Sequence, residues 1–388
     1  MSRNGPWGLA AGHVFDGLRV HESTAVVIDR TRIVALTPRA DLPGDLMVRE
    51  LPEGVWLAPG FIDLQVNGGA DILFNAEPTP AAIRAIAAAH RKFGTTGLLP
   101  TLISDTPAKM QAALAAVAAI VEAEPGVLGI HLEGPFLSRE KAGIHDASLL
   151  RSPSPEDEQL LLRSRNGKTL LTIAPEEIPS GLIARWAMSG ICLSLGHSMA
   201  TYAQTKAAIA DGLTGFTHLF NAMRPLAARE GGPIAAALEN PALWYGLIVD
   251  GFHVDPAMLR LALRGAGHPM LVTDAMPPVG GQRASFMLNG REIMVRDGRC
   301  VSAEGTLAGA VLDMASAVRN CVELVGAPLT HALRFASAHP AGFLGLDHML
   351  GHLAPGCRAD IVAFEPKRLQ VLATWVAGDE SVPERSLR

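Results

Sequence analysis

Two carboxylates and two imidazoles stand at the ends of four short apolar runs, and as a set they have the chemistry to hold a divalent cation and move a proton. Val127–Leu132 runs into Glu133, Ile191–Gly196 into His197, Gly215–Thr217 into His218, and Met270–Thr273 into Asp274. One carboxylate with two neutral imidazoles is a donor set of catalytic zinc sites, which keep a further position for water. A cation so held lowers the pKa of that water to about 7. Asp274 is then the acid/base, able to take a proton from the water and return it to a leaving amine. Taken singly, either histidine reads as a satisfied core or loop residue. Glu133, between Leu132 and Gly134-Pro135-Phe136, is harder to treat so, because buried unpaired carboxylates are rare. The four together point to a metal centre.

Residues in such positions need strands to carry them. Short Val/Ile/Leu-rich runs are the pattern of buried parallel strands, and in barrel folds the C-terminal strand ends carry the chemistry. Candidate strands fall at 61–66, 97–102, 127–132, 169–173, 191–196, 215–219, 244–249 and 270–273. Helices fill most of the intervals. One has Thr79 as N-cap, Pro80 in its first turn and Gly94 past its end; a second, Ala-rich one opens at Pro107; others cover 198–210 and 256–263. This alternation predicts an α/β chain folded as a (β/α)8 TIM-type barrel. No Gly-x-Gly-x-x-Gly opens a helix, which argues against dinucleotide binding.

The two ends read differently. Hairpin-like β patterns at 25–36, and further β-prone runs at 359–364 and 369–376, predict a small β-sandwich domain formed from residues 1–55 plus 350–388. The barrel then occupies 56–349. Within it, 275–305 is a long insertion with hairpin turns at Asn289-Gly290 and Asp297-Gly298, expected as a two-hairpin flap over the barrel mouth.

Bulk properties narrow the class. A formal charge of −5 and a pI near 6.2 argue against a nucleic-acid partner, which would call for a basic face. Cys192, Cys300, Cys321 and Cys357 lie far apart without a C-x-x-C pair, so neither a disulfide framework nor a Cys-type zinc site is expected, and a reducing cytoplasm is the expected setting. No signal-like segment opens the chain, and the longest apolar run, 112–121, is far short of the roughly 18 residues of a membrane span.

The motifs around these residues resemble one family along nearly the whole chain. They are Pro59-Gly-Phe-Ile-Asp63, His131-Leu-Glu-Gly-Pro-Phe136, Leu195-Gly-His-Ser198, Thr217-His-Leu-Phe-Asn-Ala-Met223, Asp250-Gly-Phe-His253, Val272-Thr-Asp-Ala275, Leu307-Ala-Gly309 and Pro355-Gly-Cys-Arg-Ala-Asp360. In this order and spacing the chain resembles the N-acetylglucosamine-6-phosphate deacetylases of the amidohydrolase superfamily. The resemblance implies that Glu133, His197 and His218 hold one divalent metal per subunit, with Zn2+ the first choice and Fe2+, Mn2+ or Co2+ the alternatives. It implies Asp274 as catalytic acid/base and His145 as a catalytic and substrate-binding residue near the acetyl group. Asn221, the Ala222 backbone, Arg229 and His253 are implied around the sugar phosphate, with Leu307 as a further substrate contact. A homodimer is implied as well. The implied reaction is hydrolysis of N-acetylglucosamine 6-phosphate to glucosamine 6-phosphate and acetate, in amino-sugar catabolism or recycling.

Many amidohydrolases carry His-x-His at the end of the first strand for a second metal. This chain has Gln65-Val66-Asn67 there, and amides are poor zinc ligands, so one metal is expected. Gln65 is instead a candidate to bond a metal water or the substrate. Two rivals compete with the deacetylase reading. A cyclic-amide hydrolase of dihydroorotase or hydantoinase type usually needs the His pair and a modified Lys, and no Lys sits at a strand end. An assembly protein that has lost its metal would have no use for all four of Glu133, His197, His218 and Asp274.

Overall fold

The computed structural model describes residues 5–163 and 166–382. Eight strands make one sheet in sequence order: β1 (Phe61–Val66), β2 (Thr95–Ile103), β3 (Gly129–Glu133), β4 (Lys168–Ile173), β5 (Cys192–Leu195), β6 (Gly215–Phe216), β7 (Trp244–Leu247) and β8 (His268–Leu271). A parallel bridge between Val66 and Ala275 brings the segment after β8 back to β1, and the N–H groups of Asn67 and Gly68 donate to Ala275 O at 2.9 and 3.0 Å. This is the (β/α)8 barrel that the alternation predicts. Every residue of β1, β2 and β3 is buried, as strands covered on both faces must be. The helix Pro80–Arg91 starts where Thr79 Oγ1 accepts the Ala82 N–H at 3.2 Å, and Gly94 beyond it takes φ +85°. Pro107–Ala118 is capped by Thr106, whose side chain accepts the Lys109 N–H.

Three strands stop short of the residues they present. β5 ends two residues before His197, β6 two before His218, and β8 three before Asp274. Those residues have φ of +49°, +33° and +50°. A left-handed residue turns the chain out of the ladder, which accounts for strands shorter than their apolar runs. The helix expected over 198–210 begins only at Tyr202, behind a Thr201/Gln204 capping box. Residues 198–200 are spent on other bonds: Ser198 N–H donates to Ala222 O, and Arg224 N–H to Ser198 O.

The insertion after β8 is a four-stranded antiparallel sheet, Ser285–Leu288, Arg291–Arg296, Arg299–Val301 and Leu307–Ala310, around a small apolar core that includes Phe286, Ile293 and Cys300. Its two expected turns are present, with φ of +49° and +77° at Asn289-Gly290 and +50° and +75° at Asp297-Gly298. The sheet runs past the expected limit of 305. Its last strand is held by the barrel: Ala310 N–H donates to Asp274 O at 2.9 Å and Met276 N–H to Ala310 O at 3.0 Å.

The chain ends make a separate eight-stranded sheet. Trp7–Phe15 pairs with Val20–Asp29, Met47–Glu50 and Trp56–Pro59, and Trp56–Pro59 pairs with Ile361–Glu365. One core, with Leu9, Ile28, Leu57, Ile361 and Trp375, lies against it. The chain divides into two compact units. One gathers the described residues up to Asp63, His90–Gly97 and those from Met314 onward; the other holds Leu64–Ala89 and Leu98–Asp313. Among the described residues no helix is long and apolar enough to cross a membrane.

Candidate metal centre and its cavity

All of the anticipated site residues belong to the second unit. Glu133 closes β3 and is 2% exposed, with His197 and His218 at 6% and 4%. Glu133 Oε1 lies 3.1 Å from His197 Nε2 and 2.9 Å from His218 Nε2, and the two Nε2 atoms are 3.1 Å apart. His197 Nδ1 is 2.7 Å from Lys141 O. A carbonyl only accepts, so Nδ1 carries the proton and the neutral ring turns its Nε2 lone pair to the centre. Three potential donor atoms thus converge on one point. Their spacing is close to the roughly 3.3 Å expected between donors bound to a tetrahedral zinc ion. The donor set therefore fits a small divalent cation. Burial opposes charge on Glu133, but the His197 and His218 contacts outweigh it and hold the carboxyl well below its usual range. Burial likewise pulls His218 down, and its bond to Glu133 more than reverses this, so its pKa is raised.

Behind the centre, the Gln65 amide N–H2 group donates to Glu133 Oε2 at 3.1 Å and to Asp274 Oδ1 at 3.2 Å. Asn67 Nδ2 donates to the same Asp274 oxygen at 2.6 Å. The two amides at the end of β1 thus act as donors to carboxylates, where metal ligands would have to be acceptors. Gln65 is not among the residues lining the cavity, and its side chain bonds two carboxylates. Asp274 is half-buried, and burial first, then the charge of Glu133, pushes its carboxyl up to about 6.

His145 lies in the loop after β3, 3% exposed, its ring centroid 4.4 Å from that of His197. Its Nδ1 is 2.8 Å from Ser104 Oγ and 3.4 Å from Ser104 N, whose N–H can only donate. Nδ1 is therefore the acceptor, and the ring proton sits on Nε2. Burial, then the neighbouring His197, pulls the His145 pKa down to about 3, so the ring stays neutral and still offers a donor. Ser104, just past β2, was not legible as a partner; only its place at a strand end hints at it.

A cavity of about 400 Å³ opens on these groups, lined by Asn67, Glu133, His145, His197, His218, Asn221, Ala222, His253, Asp274 and Leu307 together with Ile103, Ile144, Ile248 and Met276. Ala222 has φ +50°. His253 Nδ1 is 2.6 Å from Asp250 Oδ2. Burial of Asp250 raises its pKa, but the His253 bond outweighs this and the carboxyl stays below its usual range. A carboxylate there accepts the Nδ1–H hydrogen bond, leaving His253 Nε2 as the remaining polar atom of the ring. Arg229 stands apart: it is exposed and does not line the cavity. The sequence also passed over Thr306, and gave Gly309 only as part of a motif; both line the cavity from the insertion.

The chain is similar to known proteins along most of its length. The Amidohydrolase family pattern matches residues 56–382. An N-acetylgalactosamine-6-phosphate deacetylase of Shewanella sp. (strain ANA-3) is 40% identical over 375 residues, covering 96% of this chain and 93% of that one. The crystal structure of an N-acetylglucosamine-6-phosphate deacetylase from Pasteurella multocida superposes with a TM-score of 0.94 at 35% identity, over 97% of this chain and 100% of that chain. A mutant N-acetyl-D-glucosamine-6-phosphate deacetylase from Mycobacterium smegmatis, solved in complex with N-acetyl-D-glucosamine-6-phosphate, gives 0.89 at 34% identity over 98% and 100%.

Proposed function

The chain belongs to the amidohydrolase family, and from that premise we propose that it hydrolyses the acetamide of N-acetylglucosamine 6-phosphate to glucosamine 6-phosphate and acetate. The observation that carries this reading is the convergence of Glu133 Oε1, His197 Nε2 and His218 Nε2 beside Asp274 in one cavity. Members of this family depend on metal, and these three residues would hold one divalent cation per subunit, with zinc our choice for it. When bound, the cation acidifies the attacking water and polarises the acetyl carbonyl.

The remaining steps fall to side chains. Asp274 accepts a proton from the water as it attacks the acetyl carbon. Its Oδ1 is engaged by Asn67 and Gln65, which leaves Oδ2 for the transfer. His145, neutral with a proton on Nε2, donates to the oxygen that gains charge in the tetrahedral species. Asp274 then gives its proton to the sugar nitrogen as the C–N bond breaks, and acetate leaves. Ile103, Ile144 and Met276 supply an apolar wall suited to the acetyl methyl. Asn221, the Ala222 N–H, His253 and Leu307 are proposed to hold the sugar phosphate. Arg229 is too exposed to join them within one protomer's cavity. Its phosphate contact is proposed together with a homodimer, in which loop 224–231 would meet a neighbouring site. Four unpaired cysteines suit the cytoplasm as the setting.

A second reading concerns the sugar. The 40% identical relative is named for the 4-epimer, so N-acetylgalactosamine 6-phosphate is a rival substrate for the same chemistry. Acetate release should be measured from both phosphates and from unphosphorylated N-acetylglucosamine. Turnover of the phosphates alone supports the proposal, and their kcat/KM ratio assigns the epimer. Equal turnover of the unphosphorylated sugar would remove the phosphate from the reading.

A further inference from the structure

Glu176 is a carboxylate that the chemistry above leaves unused. It stands in the turn Pro175–Glu177 just past β4, half-buried. Its Oε2 accepts the Ser198 hydroxyl proton at 2.7 Å and its Oε1 accepts the Met199 N–H at 2.5 Å. These two residues directly follow His197, whose φ of +49° is a conformation that persists only where neighbours fix it. From the other side, Arg224 Nε donates to Met199 O at 2.8 Å and Ala200 O at 3.2 Å. The segment after His197 is thus gripped by an acceptor at its N–H and O–H groups and by a donor at its carbonyls. Ser198 also pairs with the segment that carries Asn221 and Ala222: Ser198 N–H donates to Ala222 O at 3.0 Å and Arg224 N–H to Ser198 O at 2.9 Å.

We propose that Glu176 is a positioning residue that fixes His197 and, through Ser198, the Asn221–Ala222 segment, so that the cation donors and the sugar-phosphate donors are held in one coupled frame. The proposal rests on the reading of His197 as a cation donor. A carboxylate suits the place because it is acceptor-only and can take both protons at once. Glutamine keeps one acceptor for the Met199 N–H, and the Ser198 hydroxyl can turn to accept from its amide.

The test compares wild type with Glu176→Ala, Glu176→Gln, Ser198→Ala and the neighbouring control Glu177→Ala. Zinc affinity is read by competition with a chelator, and KM and kcat for N-acetylglucosamine 6-phosphate at saturating zinc. Glu176→Ala should bind zinc at least about tenfold more weakly and raise KM more than it lowers kcat, with Glu176→Gln within about threefold of wild type. Ser198→Ala should shift both values in the same direction by less, and it decides the matter if Glu176→Ala does not fold. Wild-type zinc affinity and KM in Glu176→Ala, or in a folded Ser198→Ala where the first variant fails, would overturn the proposal and leave the proposed function standing. Wild type that binds no zinc would overturn both.

Discussion

At the scale of single residues, Asp274 and His145 are held in opposite ionisation regimes by one environment. Burial and the charge of Glu133 push Asp274 up to about 6, while burial and His197 pull His145 down to about 3. Asp274 acts as a base only when ionised, so kcat/KM should fall as pH drops through its pKa. A cation on Glu133 offsets that residue's charge and lowers the Asp274 pKa, so the acid limb should lie at or below about pH 6. A limb at pH 7 or above in a kcat/KM profile would contradict the assignment. Asp274→Asn, which keeps an oxygen to accept from Asn67, should lower kcat by about 10²–10⁴ with zinc content unchanged by elemental analysis. His145→Ala should cost about 10²–10³ in kcat, also with zinc retained. Glu133, His197, His218 and Asp274 were legible because each ends an apolar run, a local pattern. The partners that tune them were not. Ser104 meets His145 and Gln65 meets Glu133 across separations of 41 and 68 residues, which no spacing rule encodes. Arg229 was named from a motif match alone; it does not line this chain's cavity, and its proposed phosphate contact depends on the proposed dimer.

The elements position these groups by stopping early. β5, β6 and β8 end before His197, His218 and Asp274, and each presented residue turns into the left-handed region. Apolar runs announced the strands but not their last rungs, because the cost of such a backbone is met by tertiary hydrogen bonds. The helix after β5 was read four residues too early for the same reason, since Ser198 serves the segment after β6. The insertion was legible as two hairpins from Asn289-Gly290 and Asp297-Gly298. Its fourth strand was not, because Leu307–Ala310 is defined by pairing with Arg299–Val301 and by bonds to the segment after β8. Gly309 sits in that strand at φ +63°, and a Cβ there would come within 2.7 Å of both Asp274 O and Met276 Cγ. Gly309→Ala should therefore destabilise the fold by about 1–3 kcal/mol in urea unfolding and lower kcat as Asp274 is displaced. Wild-type stability and kcat in that variant would mean that the strand does not press on Asp274.

Over the whole molecule, the composition of a mildly acidic chain and the alternation of eight strands with helices sufficed for the barrel, and β-prone ends sufficed for the second sheet. Which residues seal the barrel was out of reach, since the Val66–Ala275 bridge joins positions far apart in the chain. Among the described residues the cavity lining contains neither Lys nor Arg, so under the proposed function Asn221, the Ala222 N–H and His253 are the donors one protomer would offer a phosphate. The proposed chemistry rests on one cation site. The most direct test is to strip the protein with a chelator and restore zinc stepwise, following acetate release from N-acetylglucosamine 6-phosphate. Activity should vanish on stripping and return in proportion to zinc, reaching a plateau at one ion per subunit. Full activity in the stripped protein, or a requirement for two ions, would contradict a one-cation centre built from Glu133, His197 and His218.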